Sequence, residues 1–174
     1  MNGKSKGNAF ERKICKNISM WWSGGERDDI FWRTHSSGGR YTQRQKQDKM
    51  TYNQEGDITN THPQGLDFID NVIVECKHYR NINLWGIITG SKNKLIEWWD
   101  KLKDTAEKEN KIPWLIVKEN NKPILLITDD TTFLFRFCEK ECKPKVTFLY
   151  NETPLYMYLF EDILKTVVDN TPTC

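Results

Sequence analysis

The stretch Val72-Ile-Val-Glu-Cys-Lys77 decides how the rest of the chain is interpreted. Its apolar residues predict a buried β-strand, and the side-chain period of two places Glu75 and Lys77 on the same face as Ile73. An acid and a base at the end of such a strand indicate a site that holds a metal ion and an activated water. The competing interpretation is an ion pair between the two side chains that serves the fold alone.

A second short motif, Gly56-Asp57-Ile58, begins another predicted strand. Hydrolysis of a phosphodiester needs an activated water and neutralisation of phosphate charge, and a divalent ion supplies both. Hard ions such as Mg²⁺ bind oxygen ligands, typically one or two carboxylates with water and phosphate oxygens. Asp57 and Glu75, on adjacent strands, can supply the carboxylates, and the backbone carbonyl of Cys76 a third oxygen. The predicted cofactor is therefore Mg²⁺, with Mn²⁺ as a substitute.

Lys77 would lie within reach of both the attacking water and the scissile phosphate. It can orient the water, lower its pKa or stabilise negative charge in the transition state. The residues alone leave these three roles open.

The composition is that of one globular domain. The chain has 174 residues, of which 37% are hydrophobic and 29% charged, so one core is expected. No apolar run reaches the roughly 18 residues of a membrane span, and no apolar segment follows the charged N-terminus, so a cytoplasmic protein without signal peptide is expected. Five cysteines with one close pair, Cys138 and Cys142, indicate reduced thiols rather than a zinc site.

Charge is distributed unevenly along the chain. Residues 1–50 carry 11 Lys and Arg against 5 Asp and Glu, whereas residues 51–174 carry 15 against 19. Within the basic part, Ser36-Ser37-Gly38-Gly39 allows backbone N–H groups to approach an anion closely. The loop that follows carries four basic residues among amides, and such segments are well suited to phosphate backbones. These residues are Arg40, Arg44, Lys46 and Lys49.

Hydrophobic periodicity predicts a mixed α/β arrangement around one sheet. A helix over residues 7–22 has an apolar stripe of Phe10, Ile14, Ile18 and Trp21. A second helix over 91–110 buries Leu95, Trp98 or Trp99, Leu102 and Ala106. Further predictions are strands at 29–33, 114–117, 124–127 and 146–150, a strand with alternating Phe133, Phe135 and Phe137, a loop over 79–90, and a helix from Thr153-Pro154 to about residue 168.

Taken in order, these motifs resemble those of the PD-(D/E)XK nuclease superfamily, in particular its Holliday-junction-resolvase-like branch with phage-type members. The matching pieces span about residues 6–128 and are Lys6-Gly7-x-x-Phe10-Glu11-Arg12, Arg33-x-x-Ser36-Ser37-Gly38-Gly39, Gly56-Asp57-Ile58, Val74-Glu75-Cys76-Lys77 and the strand Pro113–Lys118 behind the long helix. The resemblance implies an α/β restriction-endonuclease-like core, a mixed central β-sheet flanked by helices. A single nuclease domain over residues 1–174 is expected, with C-terminal strands and a helix at about 129–168.

The resemblance also implies roles for individual residues. Asp57, Glu75 and Lys77 would be catalytic, and Glu11 would assist the metal from the first helix. DNA contacts are expected from Arg33, Ser36, Ser37, Gly38 and the basic loop of Arg40, Arg44, Lys46 and Lys49. One or two metal ions, a homodimer and a branched or duplex DNA substrate are implied as well.

Two positions differ from the family pattern. Gly56 stands where the superfamily has proline, as is common in the resolvase branch. Asp57 and Glu75 are separated by 18 residues, which leaves Asp67 and Asp70 as alternative carboxylates, although the Gly-Asp-Ile context favours Asp57.

Three functions are therefore compared. The leading hypothesis is a Mg²⁺-dependent endonuclease that resolves Holliday junctions or other branched DNA. A nicking, restriction-type or DNA-packaging nuclease on linear duplex keeps the same chemistry. A DNA-binding protein with a degenerate nuclease fold is the non-enzymatic alternative.

Overall fold

The computed structural model describes residues 3–34, 55–89, 91, 93–137 and 142–166. In this part of the chain, the helices are α1 (Gly3–Trp22), α2 (Leu66–Asn71), α3 (Trp85–Ile88), α4 (Lys94–Glu109), α5 (Thr132–Phe137) and α6 (Phe160–Ile163). The strands are β1 (Phe31–Arg33), β2 (Ile58–Asn60), β3 (Val72–Tyr79), β4 (Ile112–Glu119), β5 (Ile124–Thr128), β6 (Val146–Tyr150) and β7 (Thr153–Leu159).

The central sheet has five strands in the order β3-β4-β5-β7-β6. β3 and β4 run parallel, with α4 between them in the chain, and the other neighbours are antiparallel. The predicted mixed α/β fold with helices flanking the sheet is confirmed. β3 is an edge strand of this sheet, so its backbone groups on one side are open to contacts from elsewhere in the chain.

Alternating side chains of β3 and β4 contribute to two cores on opposite faces of the sheet. Val72, Val74 and Cys76 pack on the face covered by α1. Ile73 packs on the other face, against Leu95 and other residues of α4. The face assignment predicted for β3 is therefore correct. β4 is buried on both faces, which its continuous apolar run explains.

The first helix forms as its apolar stripe predicts, although it begins earlier, at Gly3. All four stripe residues are buried against the sheet. The helix ends where Gly24 and Gly25 take positive φ and donate their N–H groups to the carbonyls of Trp21 and Met20, an arrangement that satisfies free carbonyls of the last turn.

The long helix α4 begins at the cap of Asn93, whose side chain accepts from the N–H of Leu95. It ends at Asn110 in the left-handed conformation. Trp99 is buried, whereas Trp98 is partly exposed and lies 4.6 Å from the Tyr79 ring between centroids. Pro113 lies in β4, which begins one residue earlier, at Ile112.

The strands nearest the N-terminus form a sheet of their own. β1 and β2 pair antiparallel as a two-stranded sheet, so the prediction of one sheet was wrong. The short helix α2 directly precedes β3, and α3 lies within the predicted loop 79–90.

Two further predictions are corrected at the C-terminal side. Phe133, Phe135 and Phe137 belong to helix α5 rather than a strand. The carboxylate of Asp130 accepts from the Thr132 N–H at the start of this helix. Thr153-Pro154 opens strand β7 rather than a helix.

The turn before β7 explains why Thr153-Pro154 begins a strand and not a helix. Asn151 and Glu152 both have positive φ, and two such residues make the tight turn that joins adjacent hairpin strands. β6 and β7 consequently pair antiparallel, and the remaining described helix, α6, is short. Residues 167–174 lie outside the described part.

None of the helices in the described ranges has the length and apolar character that a membrane span requires. Cys15, Cys76 and Cys142 are free thiols, and Cys138, the other member of the close pair, lies outside the described residues.

Candidate active site

Glu75 and Lys77 lie half-buried near the end of β3 and form an ion pair between Lys77 Nζ and Glu75 Oε1. They share a face because they are two residues apart in a strand. The ion pair that the sequence offered as an alternative is therefore present. It does not by itself explain the neighbouring carboxylates described below.

Asp57 lies directly against this strand. Its N–H donates to the Val74 carbonyl at 2.8 Å, and its Oδ2 accepts from the Cys76 N–H at 2.8 Å. Asp57 precedes β2 by one residue, so it is not on a strand adjacent to β3 as predicted; instead, it docks on the open edge of β3. The outcome is the predicted one: Asp57 is brought beside Glu75 and Lys77.

The docking of Asp57 explains why glycine precedes it. Gly56 has φ of +78°, and a Cβ there would lie 2.6 Å from the Val74 carbonyl oxygen and 3.0 Å from Ile73 Cγ1. Proline, with φ fixed near −65°, cannot adopt this conformation. The close approach of this backbone to β3 therefore requires glycine.

Two residues that the sequence did not single out also hold this segment. Thr34 donates its N–H to the Asp57 carbonyl at 3.0 Å and its hydroxyl to the Gly56 carbonyl at 2.9 Å. Glu55 pairs with Lys111 at 3.4 Å, with both side chains largely buried. No local pattern reveals these contacts, because Lys111 is 56 residues away in the chain from Glu55.

Glu11 and Arg33, both predicted site residues, bind each other. Arg33 Nε donates to Glu11 Oε2 at 2.8 Å, and Arg33 Nη2 donates to Asn8 Oδ1 at 3.0 Å. Glu11 is buried. Its carboxylate is thus engaged by the guanidinium, and Asn8 is a further contact that sequence reasoning missed.

Electrostatics connect these groups. Burial, followed by the charge of Glu75, raises the pKa of Asp57 to about 7; Lys77 and the Cys76 N–H oppose this shift, and Glu11 adds to it. Burial lowers the pKa of Lys77, but the carboxylates of Glu75 and Asp57 outweigh it, and the pKa is raised overall. Three carboxyl groups and one ammonium group therefore act on one another here.

The thiols next to the site stay protonated. Burial, with the nearby Glu11 and Asp57 carboxylates, raises the pKa of Cys15 to about 12. Burial and the Asp57 charge likewise raise the pKa of Cys76 well above its usual value. The side chain of Cys76 is itself buried in the core on the face covered by α1.

A hard divalent cation fits this donor set. Asp57 and Glu75 provide carboxylate oxygens, and a buried carboxyl with a raised pKa gains from a nearby positive charge. No group of three or more His, Cys, Asp or Glu side chains in the described ranges is arranged to enclose an ion. The site therefore suits an ion that binds one or two carboxylates and keeps water and phosphate oxygens as its other ligands, as Mg²⁺ commonly does.

Several predicted DNA contacts fall outside the described residues. They are Ser36, Ser37, Gly38, Arg40, Arg44, Lys46 and Lys49. Of the alternative carboxylates, Asp67 accepts from the Asn71 side chain within α2 at 3.1 Å, and Asp70 is exposed on the same helix.

The raised pKa of Asp57 predicts a pH dependence of stability in the metal-free protein. The folded state binds a proton more tightly than the unfolded state, so this group's contribution to stability falls as pH rises from about 4 to about 7. Asp57→Asn removes that contribution and is expected to be more stable than wild type at pH 8, by at most about 4 kcal/mol. Urea unfolding in EDTA at pH 5 and pH 8 measures the difference.

Asp104→Asn, which removes an exposed carboxylate of α4, is the matched control and should keep the wild-type pH dependence. An Asp57→Asn protein whose stability follows pH as the wild type does would contradict the interpretation of the buried carboxyl.

A mixed sheet with an aspartate, a glutamate and a lysine gathered at one edge strand is the arrangement expected of a PD-(D/E)XK nuclease. The chain matches the model of the family described as "Phage putative PDDEXK endonuclease" over residues 2–170. It belongs to this family of phage nucleases, and the predicted superfamily is confirmed. Neither the comparison with curated proteins nor that with solved structures gave a match.

Proposed function

We propose that this nuclease is a divalent-metal-dependent DNA endonuclease that resolves four-way junctions or other branched DNA. The observation that carries the proposal is the convergence of Asp57, Glu75 and Lys77 at the open edge of β3 in a chain of this family. Packing alone does not explain why a buried aspartate lies close enough to a second carboxylate to raise its pKa. Such shifts are frequent at functional sites.

Asp57, Glu75 and the carbonyl of Cys76 would hold the ion, Mg²⁺ or Mn²⁺. In a strand, the N–H and C=O of one residue face the same side, and the Cys76 N–H faces Asp57; its carbonyl is therefore expected on the same side. When bound, the ion activates water and neutralises phosphate charge.

Lys77 is proposed to act on the phosphate and the attacking water through its positive charge. Its partner in the structure is Glu75. Binding of a cation by Glu75 would free the ammonium group to bind a phosphate oxygen, where it stabilises the charge that develops in the transition state.

Glu11 and Arg33 are proposed to act together. Arg33 would give up its hydrogen bonds to Glu11 and Asn8 and donate instead to a DNA phosphate. Guanidinium groups bind phosphates well. The released Glu11 carboxylate, buried near Asp57, could then assist the metal. Substrate binding and completion of the metal site would in this way be linked.

Branched DNA is proposed because the motifs of the chain resemble those of the resolvase branch. Resolution of a junction needs two symmetric cuts, so a twofold homodimer is the natural assembly. The basic loop of residues 40–49 would lie on the DNA arms. A phage enzyme of this kind would act in the cytoplasm of the host.

One assay tests the substrate. The purified protein is incubated with a four-way junction or with its separate linear arms, in Mg²⁺, Mn²⁺ or EDTA, and its mass is measured by light scattering. We expect paired cuts in the junction with either metal, little cleavage of the arms, none in EDTA, and the mass of a dimer.

Equal cleavage of the linear arms would instead favour a nicking, restriction-type or packaging nuclease. No cleavage of any DNA, together with no rise in Tm on addition of metal, would favour a DNA-binding protein that has lost the activity.

A further inference from the structure

Beyond Lys77, a group of polar residues lies where β3 and β4 end. His78 on β3 and Lys118 on β4 are neighbours in the parallel register. Lys6, near the start of α1, donates from its ammonium group to Asn120 Oδ1 at 2.5 Å. The ring of Phe10, one turn further along α1, lies 5.2 Å from the His78 ring between centroids. The first turns of α1 therefore bring Lys6 next to the ends of both strands.

Both lysines act on His78. The Asn120 side chain is hydrogen-bonded to the imidazole, and the charges of Lys6 and Lys118 both act on it. The two ammonium groups therefore lie close to the same ring. Like charges gathered in this way are unfavourable unless an anion comes between them.

Neither lysine is neutralised within the part of the chain that the structure describes. Lys6 binds an amide oxygen, and Lys118 donates to the backbone carbonyl of Lys122. Lys77, at the same end of β3, differs because it pairs with Glu75. Two positive charges with neutral partners, both partly exposed, are suited to an external anion.

The position of these residues relative to the catalytic lysine limits what that anion can be. His78 follows Lys77 directly in β3, and consecutive strand residues project to opposite faces about 3.3 Å apart along the strand. The group thus lies on the α1 face at the same end of the strand where Lys77 and Glu75 lie on the other. β3 is the edge strand of the sheet, so a DNA strand that passes this edge with its scissile phosphate at Lys77 can place a neighbouring phosphate at this group.

We propose that Lys6, His78, Lys118 and Asn120 form a phosphate patch that binds a phosphodiester next to the scissile one in the same DNA strand. The proposal rests on the proposed nuclease function. The two ammonium groups act as point charges, and the side chains of His78 and Asn120 add hydrogen bonds that fix the phosphate. The phosphate patch sets the register of the strand relative to Lys77 and does not take part in the chemical step.

The test measures binding of a DNA substrate that the wild-type protein cuts, in EDTA and over a range of salt concentrations. The double variant Lys6→Gln, Lys118→Gln is compared with Lys101→Gln, Lys108→Gln, which removes two exposed charges of α4. The phosphate-patch variant is expected to reduce the magnitude of the slope of log K against log salt by about one, because one phosphate contact is lost, and the α4 variant to leave it unchanged. Equal slopes for the wild type and the phosphate-patch variant would overturn the proposal.

A second measurement uses the wild-type chain and so does not depend on folding of a variant. Single phosphates on either side of the cut are replaced by uncharged methylphosphonates. One replacement next to the cut is expected to weaken binding about tenfold, the effect of losing about 1.4 kcal/mol, and to cause no further loss in the phosphate-patch variant. If every replacement weakens both proteins equally, the phosphate patch does not contact that phosphate.

The two proposals fail in different ways. A wild-type protein that cuts DNA but shows neither effect retains its proposed function and lacks the phosphate patch. A wild-type protein that neither binds nor cuts any DNA removes the basis of both.

Discussion

Replacing Lys77 by alanine is expected to lower the rate of DNA cleavage by about a thousandfold while DNA binding changes little. Loss of one group that stabilises transition-state charge commonly costs about 10²- to 10³-fold in rate, and Lys77 is the cation that lies against the Glu75 carboxylate. Single-turnover cleavage with Mg²⁺ measures the chemical step, and binding in EDTA measures affinity separately.

Asp57→Asn is expected to have the same effect for a different reason. The amide keeps an oxygen that can accept from the Cys76 N–H, so the segment should still dock on β3. It removes the negative charge that a cation requires. Cleavage should therefore be lost, and the rise in Tm that metal causes in the wild type should be much smaller.

Lys101→Ala, on the exposed surface of α4, is the matched control for Lys77 and should cleave like the wild type. If Lys77→Ala retained Mg²⁺-dependent cleavage at the wild-type rate, the assignment of the active site would be wrong, and the ion pair with Glu75 would have only a structural role.

The second large effect is expected for Gly56→Ala. The added Cβ would lie 2.6 Å from the Val74 carbonyl oxygen in a residue with φ of +78°. The strained backbone alone costs about 1–2 kcal/mol, and the overlap with a backbone atom cannot be relieved by a side-chain rotation. We expect a total loss of about 3 kcal/mol and loss of cleavage, because the Asp57 segment must move away from β3.

Gly24→Ala separates the cost of the strained backbone from the cost of the atomic overlap. Gly24 has a similar φ of +65°, but a Cβ there meets no atom within 4 Å. This variant should lose only about 1–2 kcal/mol and keep its cleavage activity. Urea unfolding and cleavage assays of both variants measure the difference, and equal destabilisation would exclude the close approach to β3 as the cause.

The parts of the fold that the sequence predicted are those in which local pattern and burial agree. The stripe of α1, the residues that α4 buries and the alternation of β3 all follow from periodicity, since a buried face must repeat with the period of its own backbone. The same reasoning failed for Phe133 and Phe135, because a six-residue helix is too short to establish a period, and the cap at Asp130 decided its conformation.

At the C-terminal side a turn decided the outcome. Thr153-Pro154 has the form of a helix start, yet Asn151 and Glu152 in the left-handed region bring β7 back along β6. A positive φ at a residue such as Glu152 is uncommon. Only the sheet that the hairpin joins makes it favourable, so the local sequence could not reveal it.

The stretch around Glu75 and Lys77 shows the same difference between what the local sequence decides and what the tertiary structure decides. The sequence by itself determined that these side chains share one face of a buried strand, because residues two positions apart in a strand always project to the same face. It also indicated which aspartate would join them.

Only the tertiary structure decided how Asp57 reaches them. β3 is the edge strand of the central sheet, and Asp57 forms hydrogen bonds with the backbone groups of its open edge. Gly56 permits that approach, and Thr34 and the Glu55–Lys111 pair secure it. Those contacts join residues that are distant in the chain, and their energies depend on burial and on the charges brought together by folding, which no local pattern encodes.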